Sequence, residues 1–124
     1  MPVRNDYHKF LDSASSGIVV LVPVCNADGT IFDFRIAYMN SFYTNAVHGL
    51  VRTGQCLSEI TARILFTIDW LTVSTKAVTQ GRSFTALYYS PIAQAYFRTT
   101  IRGIAAENGN KFCIVTMTDM SVIE

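Results

Sequence analysis

Hydrophobic positions fall into short runs of two different periods, separated by turns rich in Gly, Pro, Asn and Asp. Asn5 or Asp6 can cap a leading helix whose Tyr7, Phe10 and Leu11 form an i, i+3, i+4 stripe. Residues 18–22 are a continuous, largely β-branched run, predicting a strand buried on both faces that ends or bulges at Pro23. Asn26-Ala27-Asp28-Gly29 supplies a turn. Residues 31–39 then alternate, with Phe32, Phe34, Ile36 and Tyr38 on one face and Asp33 and Arg35 on the solvent side, completing an antiparallel hairpin. Asn40 or Ser41 caps a short helix carrying Phe42, Tyr43, Ala46 and Val47, with Gly49 after its end.

Residues 50–62 read as a loop with one helical turn around Ser58-Glu59-Ile60. A longer helix is predicted over residues 64–80, stopped by Gly81 and carrying two apolar stripes, so it is wrapped on more than one side. Three strands follow: residues 83–89, ended by Ser90-Pro91; residues 95–106, with Phe97, Thr99 and Ile101 opposite Tyr96, Arg98 and Arg102; and residues 112–118, after an Asn108-Gly109 hairpin signal. The predicted architecture is α+β, with one antiparallel sheet.

The 124 residues suit a single domain. Ten Lys and Arg against nine Asp and Glu leave a net charge of +1, too little basic excess for an electrostatic nucleic-acid binder or for polybasic membrane contact. Half the residues are hydrophobic, which argues against disorder, and only 15% are charged against about 25% in typical soluble domains. Part of the exterior is therefore expected to be covered in the working protein. The start of the chain lacks a secretory h-region, and no apolar run is long enough to span a bilayer. Three scattered cysteines, Cys25, Cys56 and Cys113, read as reduced thiols in a cytoplasmic setting rather than as a disulfide frame or zinc site.

Four stretches, in this order and spacing, resemble the PAS domain, the sensory-box module of bacterial signalling proteins. They are Leu11-Asp12-Ser13 leading to Gly17-Ile18; Asp28-Gly29 with the strand running into Asn40; Gly54-Gln55-Cys56-Leu57-Ser58-Glu59; and Thr118-Asp119-Met120-Ser121. The resemblance spans residues 11–121 and is similar to PAS units preceding diguanylate cyclase (GGDEF) or histidine kinase domains. It departs from the pattern at Ser41, where a Pro is frequent, and at Met120-Ser121, where Ile-Thr is usual. It implies a five-stranded antiparallel sheet in the order 2-1-5-4-3, with helices on one face. Residues 1–13 would be an N-terminal helix, residues 17–119 the core, and residues 120–124 the start of an outgoing linker. The chain is then expected to be a fragment of a larger regulator, feeding an effector in the same polypeptide.

Within that expectation Asp119 and Ser121 form the signal exit motif, a short polar pair suited to accepting backbone N–H bonds after a strand. Trp70, Phe66, Tyr88, Tyr89 and Phe97, with Tyr38, are the candidate lining of a pocket for an uncoloured small metabolite; aromatics at such spacing also serve as plain core. Tyr7, Phe10 and Leu11 are the candidate homodimer contact. Flavin-binding relatives carry an adduct-forming Cys in Gly-x-Asn-Cys-Arg-Phe-Leu-Gln, whereas Cys56 stands two residues after Gly54 without the Asn, Arg or Gln. Haem-binding relatives place a His on the long helix, and residues 64–80 contain none; His8 and His48 lie elsewhere. No metal spacing and no nucleophile–base pair is present, and Asp69 reads as a solvent-side helical Asp. The expected role is sensing rather than catalysis, with no cofactor. A module for protein interaction or dimerisation alone, or an isomerase-like α+β enzyme using Asp69 as a base, are the alternatives.

Overall fold

In the computed structural model, residues 16–61 and 69–120 are described. Eight elements follow in order: β1 (Gly17–Cys25), β2 (Ile31–Met39), α1 (Ser41–Ala46), α2 (Leu57–Thr61), α3 (Trp70–Gln80), β3 (Ser83–Ser90), β4 (Ala95–Ala105) and β5 (Lys111–Asp119). The strands form one antiparallel sheet in the order β2-β1-β5-β4-β3, as the resemblance implies. The expected leading helix, with Tyr7, Phe10 and Leu11, lies outside the described residues, as do Phe66 and Ser121.

One face of the sheet carries the helices and the core. Val19, Leu21, Phe34, Ile36, Ile101 and Val115 are all buried there. β1 is not buried on both faces: Gly17, Val19 and Leu21 are buried, while Ile18, Val20 and Val22 are half-buried. Only neighbouring side chains shield that second face, which no described helix covers. Pro23 does not end β1 but pairs with Phe34, and the strand runs on to Cys25.

Two register shifts in the β1–β2 ladder overturn the simple alternation expected of β2. Val24 pairs with Asp33 but Cys25 with Ile31, leaving Phe32 as the extra residue, 51% exposed. Val20 pairs with Tyr38 but Leu21 with Ile36, so Ala37 is the second extra residue. Each insertion inverts the facing of the residues beyond it, which puts Tyr38 opposite Val20 on the outer face.

Asp33 is buried, not solvated. Its Oδ1 accepts from the Phe34 N–H at 2.8 Å and the Ser58 N–H at 3.2 Å, and its Oδ2 accepts from the Ser58 hydroxyl. Cys56 occupies the N-cap position of α2 and offers no side-chain oxygen, so Asp33 supplies the missing acceptor from β2. Glu59 completes the arrangement by accepting the Cys56 N–H at 3.2 Å. The same segment covers the outer edge of β2, through Gly54 N–H to Ile36 O at 2.8 Å and Ile36 N–H to Gln55 O at 2.9 Å.

Asn40 is fully buried and ties three elements together. Its Oδ1 accepts from the N–H groups of Ile18 at 2.9 Å and Tyr43 at 3.2 Å, while its amide donates to Ser16 O at 2.7 Å. It caps α1 and fixes that helix to the start of β1. The described part of the long helix begins at Trp70, because Asp69 has a non-helical ψ of 86° and caps it through Thr72. Asp69 is therefore an N-cap rather than a helical residue. Gly81, in the left-handed region at φ 62°, ends α3 as expected. α3 rests on β4 where Gly103 passes beneath Ala77.

Candidate functional site

An apolar cavity of about 60 Å³ lies between the inner sheet face and the helices. Every one of the eight elements contributes to its wall. Val19 of β1, Ile36 of β2, Phe97 of β4 and Val115 and Met117 of β5 form the floor, while Phe42, Tyr43, Leu57 and Trp70 come from the helices. Tyr88 and Ser90 of β3 close one side. Trp70 and Tyr88 meet edge to face, with centroids 5.3 Å apart at 79°.

No charged side chain lines this space; the polar side-chain groups of its lining residues are the hydroxyls of Tyr43, Tyr88 and Ser90 and the indole N–H of Trp70. Burial pushes the Tyr88 phenol up to about 12, against the opposing effect of its hydrogen bond with Ser90. Burial raises the Tyr43 phenol too, with Tyr88 adding to the shift. Both phenols thus stay protonated at neutral pH. A molecule held here would meet hydrophobic contact and neutral hydroxyls, and an unpaired carboxylate would be strongly penalised. The volume is well below the roughly 150 Å³ of a cavity that takes up benzene, so a ring-sized guest requires the wall to move.

The wall has a weak side. α1 has six residues and α2 five, too short to be stable alone, and no residue of α1 is fully buried. α1 is held by the Asn40 cap and by edge packing, so it is the element that can yield at low cost.

A second, open groove of about 420 Å³ adjoins the cavity along α1. Phe42, Asn45, Ala46, His48, Ala93, Ala95, Phe97 and Asp119 line it. Phe42, Ala46 and Phe97 belong to both spaces. Asp119 is the last residue of β5 and stands opposite Phe97 in the β4–β5 ladder. His48 has φ 53° and sits just beyond α1, in the position where a left-handed residue ends the helix.

The aromatic residues predicted to line a pocket separate cleanly. Trp70 and Phe97 line it and Tyr88 joins them, but Tyr89 is 40% exposed on the opposite face and Tyr38 lies outward beyond the Ala37 bulge. Tyr43, Ser90 and the aliphatic floor were not among the expected lining residues. Tyr43 sits at the helical spacing that marked Phe42, Ala46 and Val47, which was the available signal. Cys56 lies outside the cavity wall, and burial with the carboxylates of Asp33 and Glu59 raises its thiol pKa, the opposite of an activated thiolate. Cys113, fully buried, donates its S–H to Ser74 O at 3.4 Å, and burial pushes its pKa up to about 12. Among the described residues, no group of three His, Cys, Asp or Glu side chains is placed to hold a metal ion, and no helix is long and apolar enough to cross a membrane.

The solved structures similar to this chain include two from signalling proteins. The PAS domain of nitrogen regulation protein NR(II) from Vibrio parahaemolyticus has 16% identity and a TM-score of 0.59, with 91% of this chain and 96% of that one covered. The sensory box sensor histidine kinase from Vibrio cholerae has 17% identity and a TM-score of 0.55, with 95% and 89% covered. No family model and no curated protein matches the sequence. Together with the strand order, the two likenesses give the chain the PAS fold.

Proposed function

We propose that this chain is a sensory module of a signal-transduction protein, which couples the state of its cavity to an effector following β5. The observation that carries the reading is the wall shared by the two spaces: Phe42, Ala46 and Phe97 face the cavity on one side and the Asp119 groove on the other. A guest that spreads α1 from the sheet shifts these side chains and so changes the surroundings of Asp119. Two arrangements of α1, differently populated with and without the guest, are sufficient for relay. The exit is Asp119 with Ser121, the effector is of the histidine kinase or diguanylate cyclase type, and Tyr7, Phe10 and Leu11 make a homodimer contact. The two structurally similar proteins, a nitrogen regulation protein and a sensory box sensor histidine kinase, support the direction of the proposal.

The test is native mass spectrometry of the protein as purified, followed by hydrogen exchange with and without a bound neutral fragment. A retained or captured molecule should change protection in α1 and at the end of β5 together. Binding that alters α1 and leaves residues 117–120 untouched would reject the relay. The small cavity volume favours one competing reading, a module for protein interaction with a filled core. Absence of any binder across a neutral fragment library would select it. Charged replacements at Phe10 and Leu11 should give monomers in light scattering, and an unchanged mass would reject that contact.

A further inference from the structure

The polar groups of the cavity wall gather around Tyr88. Ser90 is hydrogen-bonded to it, the Trp70 ring meets its ring edge to face at 5.3 Å, and its phenol is near enough to Tyr43 to raise the pKa of that residue. Their bonding is uneven. Tyr88 and Ser90 hold one another, and the Ser90 oxygen also accepts the Ala93 N–H at 3.2 Å. The Tyr43 phenol makes no hydrogen bond with a described residue, and burial and the neighbouring Tyr88 are all that move its pKa. Its ring is nevertheless held in place. The Tyr43 N–H donates to Asn40 at 3.2 Å, and the side chain packs over Gly17, where a Cβ would touch Tyr43 Cβ and Cδ1 at 3.5 Å. The cavity thus contains a fixed, protonated donor with no protein acceptor, in an otherwise apolar wall.

We infer, resting on the reading of this cavity as the sensed site, that its ligand is a small uncharged carbonyl compound, a ketone or aldehyde of a few carbon atoms. Its oxygen accepts the Tyr43 hydroxyl and its alkyl part lies among Val19, Ile36 and Val115. The polar groups select that class. A hydrocarbon would strip water from the phenol and return no acceptor. An alcohol would bring a proton of its own, and the Ser90 oxygen already accepts Ala93. A carboxylate or an ammonium would be buried with no opposite charge in the wall. A carbonyl brings lone pairs only, and the Trp70 indole, which can only donate, adds to a wall that gives protons. Size sets the second limit: about 60 Å³ equals the share of about two liquid waters, so the guest is compact and α1 yields only for larger ones.

Acetone, isobutene and acetate share one outline and differ in the group offered to Tyr43, which makes them the test. In methyl and amide NMR titrations acetone should shift Val19, Ile36, Val115 and Tyr43, and acetate should shift none of them. Tyr43→Phe should weaken acetone about tenfold and leave isobutene within about twofold, because only the ketone loses a buried hydrogen bond. The phenol bonds to no described residue, so the variant should fold with an unchanged unfolding midpoint. A second measurement needs no variant: the carbonyl stretch of isotope-labelled acetone bound to the wild type should lie below its position in hexane. Equal loss of acetone and isobutene, a stretch at the hexane position, or tighter binding of acetate overturns the ligand class while leaving the cavity a binding site. Hydrogen exchange at residues 117–120 then still decides the relay by itself. No shift with any of the three overturns the class together with the cavity as a site for molecules of this size.

Discussion

Gly103 passes so close beneath Ala77 that a Cβ at Gly103 would lie 2.0 Å from the Ala77 carbonyl oxygen and 2.5 Å from its carbon. The neighbour is helix backbone, so no rotamer change can relieve the overlap. This contact sets the distance between α3 and β4, and with it the height of the cavity roof at Trp70. Gly103→Ala should therefore cost at least about 2 kcal/mol in urea unfolding. It should also perturb the Trp70 fluorescence of the folded state, and an unchanged midpoint and spectrum would contradict the packing described.

Asn40→Ala removes the α1 cap and leaves the Ile18 N–H and the Ser16 carbonyl without their side-chain partner. The expected loss is about 2–4 kcal/mol, more than a surface cap alone provides. Hydrogen exchange should accelerate at Ile18 and through α1 before the rest of the sheet. Uniform acceleration would mean that Asn40 does not hold α1 specifically.

Asp33→Ala removes the acceptor that β2 lends to α2, for a loss of about 2 kcal/mol. Cys56→Ser alone should be within about 0.5 kcal/mol of wild type, since Asp33 already serves the helix end. In the Asp33→Ala background the same change should recover about 0.5–1 kcal/mol, because a serine hydroxyl can then cap in its place. Strict additivity of the two substitutions in a double-mutant cycle would refute the substitution of one cap by the other.

The hydroxyls of Ser74 and Thr99 are buried and make no hydrogen bond with the described residues. Thr99→Val keeps the shape and removes a desolvated polar atom, so a gain of about 1 kcal/mol is expected. Chemical denaturation reads it directly, and a loss would show that the hydroxyl is satisfied in solution.

The cavity tyrosines and Cys113 set the alkaline limit. Cys113 and Tyr88 hold their protons up to about 12, above their ordinary values near 9 and 10, and Tyr43 shifts in the same direction. The folded chain binds more protons than the unfolded chain across that window, so this contribution is complete below about pH 9 and is lost as pH rises towards 12. Tyrosinate absorbance should show two of the six tyrosines ionising only together with loss of circular dichroism. Ionisation of all six in the folded state would contradict the burial.

Strand positions, turns and the Asn40 and Gly81 helix ends were legible because each rests on a local rule: period two, a positive-φ glycine, a side-chain cap. The facing of Tyr38 and the exposure of Phe32 were not, because both result from bulges that arise only when β2 is set against β1. The Tyr88–Tyr89 pair shows the same limit, since adjacent aromatics give no internal signal of which points inward. Asp33 looked like a solvent-face charge because the residue it serves, Ser58, is distant in sequence. At Asp69, the apolar stripes were extended backwards through a residue whose Asp-x-x-Thr pattern marks a start.

Residues 54 and 55 bond to Ile36 and so occupy the middle of the outer margin of β2, while β3 has no hydrogen-bonded neighbour beyond β4 among the described residues. Margin-to-margin growth through identical copies needs a free border on each side of the molecule. A plug in the centre of one border shortens the run of backbone onto which another copy could zip, which works against fibre growth and leaves the opposite side the readier to accept an added strand.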